Sequence, residues 1–255
     1  MKEKIYTIPV NDAFRRNDRD CPLCVLREGL ETQLLDYYLG PSLMEPDVRV
    51  STNERGFCRT HANALHAREN NRLGLGLMLH TRLTRVTGSV GDALRKAGGD
   101  ARRGWTGRRK DWRDALRAAA AGVRAETESC IVCDRLADTM ARYLDVTCWL
   151  YAGDDAFRAV FRGTHHFCVP HLADLLDAAA SHLGQADADA MLGDLRTVAA
   201  RSLGEMEHDI EWFTLKFDYR NNDKPWGNSK DAVIRAIRTL AGGTSPDARE
   251  KNDAH

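Results

Sequence analysis

The stretches Cys21-Pro-Leu-Cys24 and Cys58-Arg-Thr-His61 recur later in the chain as Cys130-Ile-Val-Cys133 and Cys168-Val-Pro-His171. A similar length of chain separates the two stretches in both copies, and a gap of one residue aligns residues 18–95 with residues 127–185. Internal repetition on this scale predicts two pseudo-repeated halves packed about an approximate two-fold axis.

The spacing of the cysteines and histidines indicates metal binding. Two thiolates separated by two residues can bind one cation from a single turn, and a Cys-x-x-His pair completes a tetrahedron of three sulfurs and one nitrogen. Each copy therefore predicts a Cys3His site of its own: Cys21, Cys24, Cys58 and His61 in the first, and Cys130, Cys133, Cys168 and His171 in the second. Thiolate-rich tetrahedral sites favour Zn2+, so two zinc ions are predicted, with iron as the main competitor.

Apolar residues at helical spacing surround these ligands. The pattern predicts a helix from Val25 to Leu39 and a loop from Pro46 to Gly56. Further helices are predicted over 61–86, 112–125, 187–217 and 229–240. Each Cys-x-x-His pair should then lie at a helix start, where the positive end of the helix dipole stabilises a thiolate. Since no strand pattern is evident, the predicted fold class is mainly α.

The chain divides by composition into five predicted segments. These are a first CxxC...CxxH helical half (1–96), a basic Gly/Arg-rich linker (97–111), a second half (112–186), C-terminal helices (187–241) and a flexible tail (242–255). The long C-terminal helix is expected to hold the two halves together. The linker carries Arg102, Arg103, Arg108, Arg109 and Lys110, and its charge pattern favours a solvated segment over a nucleic-acid site.

Composition excludes several classes of protein. The 37 Lys+Arg balance the 37 Asp+Glu, which disfavours wholesale binding to nucleic acid. The sequence has neither an apolar run of about 20 residues, which a membrane span needs, nor a secretory signal. The chain has seven cysteines, an odd number, and a chain without a secretory signal is expected to use them for metal or redox chemistry rather than for disulfides. We therefore expect a cytoplasmic protein whose partner is another protein or a small molecule.

Two motifs also carry a resemblance. The repeated Cys-x-x-Cys with Gly56-Phe57-Cys58-x-x-His61, and the segment Trp212-Phe213-x-x-Lys216-Phe217-Asp218-Tyr219-Arg220, resemble the bacterial and archaeal proteins grouped as domain of unknown function 6062. The resemblance extends from Cys21 to about Leu240. It implies a shared fold and metal binding, and no reaction. Because the second copy has His166 where the first has Gly56, the two loops should differ in geometry.

Three functions are compatible with these features. The first is a structural or interaction protein, because each ligand set supplies the four donors of a closed zinc site. The second is a metal-dependent enzyme with its site at or between the metal sites, in which Cys148, His165 and His166 supply extra ligands or acid–base groups. Asp36 and Asp145, at matched positions of the two copies, are further candidates. The third is a thiol redox or metal-sensing protein that cycles its paired cysteines.

Overall fold

The computed structural model describes residues 5–16, 19–98 and 112–244, and these ranges contain helices and no β-strand. The mainly α fold class is therefore confirmed. The helices are α1 (Thr7–Arg15), α2 (Pro22–Leu39), α3 (Pro46–Arg55), α4 (Arg59–Ala67), α5 (Arg72–Gly98), α6 (Trp112–Ala125), α7 (Ile131–Gly153), α8 (Asp155–Gly163), α9 (Val169–His182), α10 (Gln185–Leu215) and α11 (Ala232–Ala241). Short 3-10 turns lie at Pro41–Met44, Tyr219–Asn221 and Ser229–Asp231.

None of the helices in the described ranges combines the length and the apolar character that a membrane crossing requires.

The loop predicted from Pro46 to Gly56 is wrong, because α3 occupies Pro46–Arg55. Proline suggested a break in the chain, but Pro46 lies in the first turn of α3, where its missing N–H and fixed φ are tolerated. Val48 and Thr52, one turn apart, form the buried side of the helix. Gly56 then ends it with a φ of 61°, a left-handed conformation that favours glycine.

The prediction of one continuous helix from residue 61 to residue 86 is also wrong. The chain forms α4 and α5 instead, with a break between Ala67 and Arg72. Glu69 has a φ of 56° in this break, and the Asn71 side chain accepts a hydrogen bond from the N–H of Gly74 at the start of α5. The predicted helices at 25–39, 112–125 and 187–217 correspond to α2, α6 and α10, and the one predicted at 229–240 corresponds to the 3-10 turn Ser229–Asp231 together with α11.

Contacts between residues divide the chain into two compact units. Unit 1 consists of Met1–Leu30 and Asp138–His255, and unit 2 consists of Glu31–Ala137. Both α2 and α7 begin in one unit and end in the other. The units differ from the five segments expected from composition, whose boundaries stay a prediction, as does the packing of repeated halves about an axis. Residues 99–111 of the expected linker and 245–255 of the expected tail lie outside the described residues.

The core of unit 1 contains aromatic rings and cysteine side chains together. Phe14 packs against Phe157, Phe161 and Phe167, with ring centroids 5.1, 5.7 and 6.2 Å away. The next residue after Phe167 is Cys168, which is fully buried in the same cluster. Helix α10 contacts α8, α9 and α11, so it covers this part of unit 1. Its predicted role of joining the two halves stays a prediction.

Candidate metal centres

Four side chains of unit 1 converge on one point, which we call centre A. It is formed by Cys21, Cys24, Cys168 and His171, all of them buried. The Nδ1 atom of His171 lies 3.3 Å from the sulfur of Cys24 and 3.2 Å from that of Cys168. The sulfurs of Cys24 and Cys168 are 3.5 Å apart.

A second group of the same composition, centre B, lies in unit 2. It is formed by Cys58, His61, Cys130 and Cys133, of which Cys133 is exposed and Cys58 half-buried. The Nδ1 atom of His61 lies 3.2 Å from the sulfur of Cys58 and 3.3 Å from the sulfurs of Cys130 and Cys133. The sulfurs of Cys58 and Cys133 are 3.8 Å apart.

These distances are equal to or slightly shorter than the edges of a tetrahedron around one metal ion. Zinc–sulfur bonds of about 2.3 Å and zinc–nitrogen bonds of about 2.0–2.1 Å give edges of about 3.8 Å between sulfurs and about 3.6 Å between sulfur and nitrogen. The sulfur–sulfur separations in both centres are far longer than a disulfide bond of about 2.05 Å, and all seven cysteines are free. The residues present therefore fit a single ion in each centre.

The eight residues are those predicted as ligands, but the expectation that each copy completes its own site is wrong. The first pair of each copy meets the second pair of the other copy. From Cys24, helix α2 continues for 16 residues to Leu39, about 24 Å, whereas the next α-helix, α3, has only 10 residues, about 15 Å. The second copy has the same imbalance, since α7 has 23 residues and α8 has 9.

Hydrogen bonds hold the chain segments of centre B together. The main-chain N–H of Ile131 donates to the carbonyl oxygen of Gly56 at 3.1 Å, and the Ser129 hydroxyl donates to the carbonyl oxygen of Arg55 at 2.7 Å. The Arg55 guanidinium also pairs with Asp134 at 2.7 Å. The left-handed conformation of Gly56 thus lets its carbonyl reach the start of α7, and His166, its counterpart, does not adopt a positive φ. The predicted difference between the two loops is confirmed.

In both centres the first cysteine of every pair stands directly before a helix. Cys21, Cys58, Cys130 and Cys168 precede α2, α4, α7 and α9 respectively. The predicted position of the Cys-x-x-His pairs at helix starts is therefore confirmed. Free N–H groups and the positive dipole end of a helix stabilise negative charge at this position. Each centre brings two such helix ends together, so its thiolates also offset the repulsion between them.

The thiols of each centre cannot all ionise on their own. In centre A, burial raises the pKa of Cys21, whereas hydrogen bonds from the thiols of Cys21 and Cys24 lower the pKa of Cys168 to about 4. In centre B, partial desolvation and the neighbouring thiol of Cys130 raise the pKa of Cys133 to about 12. A divalent cation would resolve this conflict, because it would compensate the negative charge of adjacent thiolates.

Glu31 is a functional candidate that the sequence analysis missed. Its Oε1 atom lies 3.1 Å from the Nε2 atom of His61, on the opposite side of the ring from the sulfurs. A carboxylate in this position orients a metal-binding histidine and fixes its tautomer, with the proton on Nε2. Glu31 lies on α2, 27 residues before Cys58 in the chain, and no motif spacing marks it.

The C-terminal segment Gly242–Thr244 supplies a second missed contact, at centre A. The main-chain N–H of Gly243 donates to the sulfur of Cys24 at 3.1 Å. A side chain at Gly242, which has a φ of 85°, would begin 3.7 Å from the Cys24 sulfur. The segment begins the predicted flexible tail, yet Thr244 is 1% exposed.

The other residues considered for chemistry lie outside both groups of four. Asp36 pairs with Arg68, and Asp145 lies 3.5 Å from His182. Cys148 is fully buried in the core of unit 1. His165 is exposed, and His166 is half-buried with a pKa lowered by burial. These positions are those of ordinary ion pairs and packing residues.

Comparison with known proteins identifies the family. A model described as a family of unknown function, DUF6062, matches residues 1–247. The chain therefore belongs to this family, as its motifs predict. No curated protein and no solved structure shows significant similarity to the chain.

The grouping of ligands can be tested with two double variants that each remove two cysteines. Cys21→Ser with Cys168→Ser should cost one bound metal ion per chain, because both residues belong to centre A. Cys21→Ser with Cys58→Ser should cost two, because each centre loses a ligand and three ligands hold a metal less well than four. Elemental analysis of the purified variants measures the difference. Loss of two ions in the first variant and of one in the second would show instead that each site is formed within one copy.

Replacement of Glu31 tests its contact with His61. Glu31→Ala should weaken metal binding at centre B by about 10–100-fold, because a carboxylate that pairs with a metal-bound histidine contributes that much to affinity. Binding at centre A should be unchanged. Competition with a chromophoric chelator measures both affinities, and Asp36→Ala is the matched control because Asp36 also lies on α2 in unit 2. Equal affinities in the two variants would leave Glu31 without this role.

Proposed function

We propose that this member of the DUF6062 family binds two zinc ions, and that both ions have a structural role. The observation that carries the proposal is the geometry of the donors. Each centre offers three sulfurs and one nitrogen, and neighbouring donors are separated by 3.2–3.8 Å. Such sets of four protein ligands are typical of structural zinc sites, which leave no coordination position for a substrate.

The donor types favour zinc over the competing metals. Thiolate and imidazole are ligands that zinc prefers, and a tetrahedral arrangement is compatible with its filled d shell. All donor atoms of a centre lie within 4.8 Å of one another. This spacing supports a single ion rather than a cubane iron–sulfur cluster, in which each ligand binds a different iron.

A structural role also agrees with the chain segments that each centre joins. Centre A links the starts of α2 and α9, and centre B links the starts of α4 and α7. Residues so distant in sequence are ordered at a high cost in chain entropy, which metal binding offsets by adding its free energy to folding. Each ion would thus stabilise the unit that contains it.

We also infer a reducing compartment and an interaction partner. Thiolates persist as metal ligands where disulfides do not form, which favours the cytoplasm. A protein scaffold stabilised by two metal ions would act through binding another protein or a small molecule. The equal numbers of acidic and basic residues favour such partners over nucleic acid.

Two buried cysteines of unit 1 provide a matched test of the structural role. Cys168→Ala should lose one of two zinc ions and lower the free energy of unfolding by on the order of 4 kcal/mol, because loss of a metal site ranks among the largest mutational effects. Cys148→Ala removes an equally buried sulfur that belongs to neither centre. It should keep both ions and cost about 1–2 kcal/mol, as expected for a small cavity.

Elemental analysis and denaturant unfolding together measure these effects in the parent chain and in both variants. A parent chain that contains iron instead of zinc would contradict the metal assignment. Equal destabilisation by the two substitutions, with two ions retained in each, would contradict the role of centre A.

A further inference from the structure

The two centres have the same set of donor atoms, but their ligand residues differ in exposure to solvent. Every residue of centre A is buried, and Cys21 and Cys168 are fully enclosed in the core of unit 1. In centre B, Cys133 is exposed and Cys58 is half-buried. A reagent in solution therefore reaches the exposed residue Cys133 of centre B without any opening of the fold.

The contrast is sharpest at the second cysteine of each Cys-x-x-Cys pair. The Cys24 sulfur accepts a hydrogen bond from the Gly243 N–H, and Cys24 is 2% exposed. Cys133 occupies the same place in its motif, but its contacts are with the other donors of centre B, His61 and Cys58 among them. No main-chain group in the described ranges covers its sulfur as Gly243 covers that of Cys24.

Segment Gly242–Thr244, which covers the Cys24 sulfur of centre A, is held in place by a side-chain contact. The main-chain N–H of Thr244 donates to the Glu28 carboxylate at 2.8 Å, and the Thr244 hydroxyl donates to the other oxygen of the same carboxylate. Glu28 lies one helical turn after Cys24 on α2. Its carboxylate therefore fixes Gly242–Thr244 directly over the Cys24 sulfur.

We propose that Cys133 is the site at which hydroperoxides oxidise this protein, and that its oxidation releases the metal of centre B while centre A keeps its own. The inference rests on the proposed function, since it requires a metal ion in each centre. A metal-bound thiolate remains a nucleophile, and oxidation of cysteine depends on thiolate character and exposure. Coordination to the metal would hold Cys133 as a thiolate, and Cys133 is the one exposed residue among the eight ligands.

The chemistry proceeds in two balanced steps. The Cys133 thiolate attacks one oxygen of hydrogen peroxide, so a sulfur–oxygen bond forms, the oxygen–oxygen bond breaks, and the departing hydroxide takes a proton from solvent. The sulfur has then lost two electrons as a sulfenic acid, and the peroxide has gained them. A neighbouring thiolate such as that of Cys58, 3.8 Å away, next attacks this sulfur. A disulfide forms, hydroxide leaves, and the centre has lost two ligands.

Titration of the full-length, metal-loaded chain with hydrogen peroxide tests the proposal. Elemental analysis before treatment must give two ions per chain, and a lower number would count against the proposed function rather than against this inference. Peroxide should then release one of the two ions, as measured by a chromophoric chelator. Mass spectrometry should find oxidised cysteines in centre B and reduced Cys21, Cys24 and Cys168. Release of both ions together, release of neither, or oxidation that starts in centre A would overturn the proposal.

A second test changes the contact that holds segment Gly242–Thr244 and leaves all eight metal ligands unaltered. Glu28→Ala removes the carboxylate that holds Thr244 and should leave both ions bound before treatment. The peroxide treatment that releases only the ion of centre B from the parent chain should then also release the ion of centre A, because the Cys24 sulfur is no longer shielded. Glu205→Ala changes an exposed glutamate of α10 and should behave as the parent chain does. Equal resistance of centre A in the two variants would show that Gly242–Thr244 does not protect it.

Discussion

The structure depends on the meeting of two helix N-termini around three sulfurs and one imidazole nitrogen, which occurs twice in the chain. Helix ends of like polarity repel, and adjacent thiolates also repel one another. A divalent cation at the centre of each group would balance both effects, since the thiolates face the helix ends and the cation would face the thiolates. Without a cation the thiols differ in charge, because hydrogen bonds lower the pKa of Cys168 to about 4 whereas burial raises the pKa of Cys21. The same constraint places Cys21, Cys58, Cys130 and Cys168 directly before helices.

The ligand types could be predicted because local spacing determines them. A Cys-x-x-Cys or Cys-x-x-His pair meets the same ion from a single turn, wherever the rest of the chain goes. The grouping of the pairs depends instead on the path of the chain between them, which spacing does not show, and segment 46–56 is part of that path. As an extended loop it could span about 35 Å and return Cys58 to Cys21. As helix α3 it advances only about 15 Å, against about 24 Å for the part of α2 that follows Cys24.

The contacts that distinguish the two centres could not be predicted from the sequence, because they join residues that are far apart in the chain. Glu31 reaches His61, and Gly243 reaches Cys24, across 30 and 219 residues of chain, so no local pattern marks either contact. The helices themselves were more predictable, because α2, α6 and α10 each show apolar residues at helical spacing. Helices α4 and α5 were merged because their apolar patterns run together, and the break rests on the backbone of Glu69.

The central claim is that each centre holds one ion in a tetrahedron of three sulfurs and one nitrogen. X-ray absorption at the zinc edge of the purified chain tests this claim most directly, because it reports the atoms bound to the metal. We expect an average shell of three sulfurs at about 2.3 Å and one nitrogen at about 2.0–2.1 Å, without a metal–metal distance. A shell that contains water oxygen, or a short metal–metal vector, would contradict two closed mononuclear sites.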